Sequence, residues 1–118
     1  MTYTTILADP PWAEHGGGRI KRGADRHYGL LSEDQIYSTI ILSTPVGQQL
    51  AEAAWNGYFF MWVTSNHEKE GHALGDMLRL RYVTDFPWVK ARVTNGCIQV
   101  HTGLGQYRRG CHERMLMF

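Results

Sequence analysis

An α/β fold with a mostly parallel sheet is the class that this 118-residue sequence predicts. Three observations carry the expectation. Apolar segments of strand length stand at residues 3–8, 57–64 and 82–90; helix-forming stretches separate them; and one more apolar segment, 112–118, follows an Asn-Gly turn signal. A chain of this length makes one domain, residues 1–118, and its 43% hydrophobic content is that of a globular protein.

The elements follow in order. Residues 3–8 alternate and then cluster apolar and β-branched side chains, which suits a strand, and Asp9 falls at its carboxyl end. Residues 13–26 hold Gly16, Gly17 and Gly18 with Arg19, Lys21, Arg22 and Arg26, and read as a basic loop. Ser32 with Gln35 forms a capping box for a helix that carries Ile36, Ile40 and Ile41 on one face. Pro45 and Gly47 interrupt it, and 48–55 reads as a second short helix. After the strand at 57–64, Ser65 or Asn66 is placed to cap a helix reaching about Leu80, with Ala73, Met77 and Leu80 inward. A strand at 82–90 precedes the polar stretch 91–102, where Asn95-Gly96 signals a hairpin. Residues 112–118 supply the final strand.

The bulk properties exclude several classes. A formal charge of +1 gives no global basic field, so contact with nucleic acid falls to local patches. The sequence shows neither a secretory leader nor a membrane-spanning apolar run, which predicts a cytoplasmic protein without membrane contact. Cys97 and Cys111 are too few and too far apart for a zinc knuckle or a disulfide framework. His67 and His72 are five apart, not the four that would align two zinc ligands on one helix face, and no metal is expected. Gly103 to Arg108 lacks the third glycine of a dinucleotide fingerprint, and Gly16 to Lys21 lacks the ending of a phosphate loop.

The chemistry concentrates in Asp9-Pro10-Pro11-Trp12. Two prolines stiffen the chain and remove two N–H donors, so the turn is rich in free carbonyls that can accept. In open α/β sheets, ligands lie beyond the carboxyl ends of the strands, where this turn falls. The Asp9 carboxylate and the Pro10 carbonyl are suited to accept the two N–H bonds of an amino group on a flat base. Trp12 offers a ring for stacking, worth roughly 1–3 kcal/mol per base. The same residues also suit an ordinary strand-ending turn.

The ordered set Asp9-Pro10-Pro11-Trp12, His27-Tyr28, Phe60-Met61-Trp62-Val63-Thr64, Pro87-Trp88-Val89-Lys90, Thr102-Gly103 and Gly110-Cys111-His112-Glu113 resembles the MT-A-seventy family of adenine N6-methyltransferases. That family is typified by the catalytic subunit of the messenger-RNA adenosine methyltransferase and includes bacterial and phage DNA enzymes. The resemblance implies a Rossmann-like methyltransferase sheet, mostly parallel with an antiparallel final strand. It implies S-adenosylmethionine as cofactor, with Asp9 meeting its methionine end, and direct methyl transfer to a flipped adenine in nucleic acid, DNA before RNA. Tyr28, Trp62 and Asp85 become acceptor-base residues; Lys90, Arg19, Lys21, Arg22 and Arg26 become backbone contacts, with Arg108, Arg109 and Arg114 a second basic edge. Family members continue past the match to residues 114–118 with segments that hold the cofactor. The expectation is therefore a partial methyltransferase domain, with a second chain completing the fold among its partners. Two rival expectations are a catalytically deficient module that binds nucleic acid or another subunit, and methylation of a planar amide or amine in a protein, which related motifs carry out with Asn in place of Asp9.

Overall fold

The computed structural model describes residues 2–13, 29–52, 55–102 and 110–118. Its elements are β1 (Thr5–Ala8), α1 (Glu33–Ser43), α2 (Gly47–Ala51), β2 (Tyr58–Val63), α3 (Glu68–Met77), β3 (Thr84–Val89), β4 (Ala91–Thr94), β5 (Cys97–Val100) and β6 (His112–Met117). This is an α/β arrangement, with a mixed four-stranded sheet and a separate two-stranded hairpin.

The sheet order is β1-β2-β6-β3, with β1 and β2 parallel and β6 antiparallel to both β2 and β3. The mostly parallel sheet is thus corrected to one with a single parallel pair, although the final strand is antiparallel as expected. β1, β2 and β3 do run in one direction, but β6 inserts between β2 and β3. β3 leaves the sheet and β6 enters it at the same rim, with the β4–β5 hairpin between them in the chain, so β6 runs back against β3.

Rows across the sheet show what each strand contributes. Ala8, Met61, Leu116 and Asp85 stand in one row, and Leu7, Phe60, Met117 and Thr84 in the next. Side chains alternate between the two sides. One side carries Ile6, Phe59, Met61, Val63 and Leu116, and α1 and α3 bring Ile36 and Leu74 against it to form the core with Leu78 and Phe118. Each such side chain contributes roughly 1.5–3 kcal/mol by leaving water. The other side carries Leu7, Tyr58, Phe60, Trp62, Phe86, Trp88, Met115 and Met117.

The helices show why some expectations held. The Ser32 side chain accepts the Gln35 N–H and the Gln35 side chain accepts the Ser32 N–H, so the capping box of α1 is complete. Ile36 is buried, and Ile40 and Ile41 pack against the core. The second helix is shorter than residues 48–55; its Gln49 turns inward and bonds both the N–H and the C=O of Tyr3, holding the entry to β1. Trp55 Nε1 donates to the same carbonyl at 2.8 Å.

For α3 the inward face is corrected. Gly71, Leu74 and Gly75 are the buried positions, while Ala73 and Met77 are half-buried. The glycines let the helix lie directly on the sheet: a Cβ on Gly71 would stand 2.5 Å from Val63 Cγ1, and one on Gly75 would run into the Phe118 ring. An apolar stripe read from side-chain size overlooks a face made by missing side chains. The N-cap is His67, not Ser65 or Asn66. The helix ends with Arg79 at φ 58°, and Leu80 N–H bonds back to the Gly75 carbonyl at 2.9 Å. This is the left-handed helix ending that glycine usually supplies.

The hairpin matches its signal. Asn95 (φ 51°) and Gly96 (φ 75°) both adopt left-handed angles, as a two-residue turn matching strand twist requires. Pro87 lies in β3, an outer strand of the sheet, the setting in which a sheet tolerates proline. No helix among the described residues is long and apolar enough to cross a membrane.

Candidate functional site

Because β1, β2 and β3 point the same way, Asp9, Thr64 and Lys90 leave them at one rim, where β6 enters at His112. Asp9 is exposed and Pro10 is buried, which continues the in-and-out order of Ile6, Leu7 and Ala8. Asp9 thereby lies on the helix-free side, one residue past the Ala8–Met61 pair and so beside Trp62.

The turn after Asp9 is more tightly bonded than its prolines suggest. The Pro10 carbonyl accepts Trp12 N–H at 2.9 Å and the Pro11 carbonyl accepts Leu31 N–H at 2.8 Å. Ala13 N–H returns a bond to Leu31, whose bridge to Trp12 zips residues 29–31 alongside. The expected stretch of free carbonyls is corrected accordingly; each oxygen retains one lone pair.

Trp12 is 7% exposed and belongs to the core, so it does not offer an open stacking face. Its Nε1 donates to the Trp62 carbonyl at 3.0 Å. Its ring lies against His67, centroids 6.0 Å apart and planes within 13°. His67 is itself buried; Nε2 donates to the Ala13 carbonyl at 2.8 Å and Nδ1 faces the Thr64 hydroxyl at 2.7 Å. A carbonyl can only accept, so Nε2 carries a proton, and in the neutral ring Nδ1 takes the hydroxyl hydrogen. Trp12 and His67 together fasten the loop after β1 to the loop after β2.

Trp62 and Trp88 present the aromatic surface at this rim. Their rings meet edge to face at 5.9 Å and 89°, and Trp88 is 60% exposed. Trp88 was not singled out by sequence reasoning, which took Lys90 from the same motif. The available signal was its two-residue spacing from Phe86, which repeats that of Phe60 and Trp62. Lys90 pairs with Glu113, which competes with any phosphate for its ammonium. Both groups are partly exposed, and such a pair contributes at most about 1 kcal/mol.

Asp85 is not brought to Asp9. It stands three strands from Ala8 in the same row, about 14 Å at ordinary strand spacing. It lies on the helix-covered side, bound to Arg114, which also reaches Glu68 at 3.5 Å. Tyr82 donates to Asp85 at 3.4 Å, and its phenol is held above its ordinary pKa, first by desolvation and then by the Asp85 charge. The positions of Arg19, Lys21, Arg22, Arg26, Tyr28, Arg108 and Arg109 lie outside the described residues.

A cleft of about 720 Å³ opens at the opposite, amino end of the sheet, lined among others by Thr4, Leu50, Trp55, Tyr58, Leu80 and Phe118. None of the expected site residues lines it. No cluster of three or more metal-ligating side chains occurs among the described residues. No family model matches the chain, and no curated protein matches it either.

Proposed function

We propose that the chain recognises the exocyclic amino group of adenine in nucleic acid for N6-methylation. One observation carries the reading: an exposed Asp9 carboxylate at the end of β1, before a turn held through its Pro10 and Pro11 carbonyls, with Trp62 on the neighbouring strand and Trp88 farther along the same rim against Trp62. The amino nitrogen of adenine is a weak nucleophile because its lone pair is delocalised into the ring. A carboxylate that accepts one N–H favours turning that pair out of conjugation, and it acts as a fixed hydrogen-bond acceptor without needing to be a strong base. A base extruded from its stack would find the Trp88 face at the rim, a revision of the role first given to Trp12. Tyr28 stays in the proposal through the resemblance, and the cations at Arg19, Lys21, Arg22 and Arg26 through their concentration in one short stretch of the sequence.

S-adenosylmethionine, the cofactor implied by the same resemblance, would supply the methyl group. The described residues fit it poorly: Asp9 is exposed and Glu113, the other carboxylate at this rim, is paired with Lys90, whereas ligand pockets surround most of their ligand. The geometry therefore supports acceptor recognition, and the finer Rossmann-like methyltransferase fold is part of the proposal. The thin cofactor site favours one alternative, a nucleic-acid-binding module of the same ancestry without catalysis.

The test is transfer of labelled methyl from S-adenosylmethionine to adenine-containing DNA and RNA oligonucleotides. Asp9→Ala should lower transfer at least about 100-fold, the scale of losing one preorganised hydrogen-bonding group. Undiminished transfer by the variant would remove Asp9 from the chemistry. Salt-sensitive oligonucleotide binding with no calorimetric heat from S-adenosylmethionine would select the non-catalytic module.

A further inference from the structure

The methylation reading uses only the carboxyl rim of the helix-free side of the sheet, where Asp9, Trp62 and Trp88 stand, and gives no role to the broad centre of that side. Leu7, Tyr58, Phe86 and Trp88 are 64%, 55%, 45% and 60% exposed on it, around the half-buried Phe60, Trp62, Met115 and Met117. Neighbouring rings meet along and across the sheet: Tyr58 with Phe60 at 6.5 Å within β2, and from β2 to β3 Phe60 with Phe86 at 6.5 Å and Trp62 with Trp88 at 5.9 Å. Among the described residues no helix lies over them. We propose that this face is a two-fold interface with a second copy of the chain.

Area is the first argument. A fully covered aromatic side chain hides about 150–250 Å². The remaining exposed parts of Tyr58, Phe86, Trp88 and Leu7 thus amount to roughly 400–500 Å² before the four half-buried side chains are added. The largest apolar patch on a monomer is about 300–600 Å², and a stable interface takes about 800 Å² from each partner. With the half-buried side chains added, the face lies at the upper end of the monomer range and approaches what a dimer needs.

Charge is the second. The ionised side chains on this face stand at the carboxyl rim, where Lys90 is already neutralised by Glu113 and Asp9 lies at the edge. The centre, around Phe60, Met115 and Phe86, is uncharged. Single-stranded nucleic acid calls for a cationic groove along its path, which the described residues of this centre do not supply. A net charge of +1 gives little long-range repulsion between copies. Two identical twisted sheets can stack about 10 Å apart at roughly −30°, and a two-fold axis through the patch makes it its own complement. The two readings share Trp62 and Trp88, so a face closed by a second copy would have to open at the carboxyl rim before a base could reach the Trp88 ring.

Sedimentation equilibrium of the full chain from about 1 to 100 μM decides it, and the expected species is a dimer of the 13.5 kDa chain. Phe86→Glu and Trp88→Glu should each raise the dimer dissociation constant at least about tenfold, because symmetry puts the new charge in the interface twice. Should either variant unfold by circular dichroism, Tyr58→Glu replaces it. Ile98→Glu, on the exposed β4–β5 hairpin, should leave the constant unchanged. A monomer at 100 μM overturns the proposal, as does a dimer indifferent to the sheet-face variants. Dissociation by Ile98→Glu alone, or a monomer whose oligonucleotide binding is lost in Trp88→Glu, would also overturn it.

Discussion

The two sides of the four-stranded sheet are built from the same strands, yet they meet different surroundings. Phe59, Met61, Val63 and Leu116 are almost wholly buried on one side, while one residue along in either direction stand Tyr58, Phe60, Trp62 and Met115, exposed or half-buried. Both sets are apolar. Hydrophobicity alone therefore does not decide which side is covered; the small residues of α3 do, by letting a helix approach one side closely. What is read as strand sequence, apolar at nearly every position, fits a strand meant to be covered on both sides.

The contrast is sharpest in mutational cost. Phe59→Ala should destabilise by about 3–5 kcal/mol, since it empties a fully enclosed site against Phe118. Trp88→Ala, measured by denaturation under conditions where the chain is monomeric, should cost less than about 1 kcal/mol. Equal costs would show that the bare side is covered in solution. Next in size, Gly75→Ala should cost about 1–3 kcal/mol by driving α3 off Phe118, although alanine is the better helix former. A neutral or stabilising result would mean that the helix does not sit so close. The smallest expected effect has the opposite sign: Arg79→Gly should stabilise by about 0.5–1 kcal/mol, because the left-handed backbone at φ 58° strains any residue with a Cβ.

Local chemistry was legible in the sequence wherever neighbours in the chain fix the outcome. The Ser32–Gln35 box and the Asn95-Gly96 turn satisfy backbone groups within four residues, so their geometry follows from residue type. Strand positions followed from apolar runs. The place of β6 between β2 and β3 did not, because pairing partners are chosen by contacts that sequence order does not encode. At the candidate site, the place of Asp9 at the carboxyl end of a strand was readable. The fate of Trp12 was not: an indole after two prolines serves equally as a platform or as a strut. Its bond to the Trp62 carbonyl and its stacking on His67 depend on residues about fifty positions away.

Pro87 carries one more consequence. Lys90 N–H points inward to Cys111, and the alternation of an antiparallel ladder then turns the nitrogen of residue 87 outward, where a ring occupies the place of a hydrogen. A passing extended chain would find a gap in the row of donors at the middle of β3. One imino acid thus acts as a stopper against fibre-like growth along that border, which leaves broad-side contact as the safer way for such a greasy slab to find company.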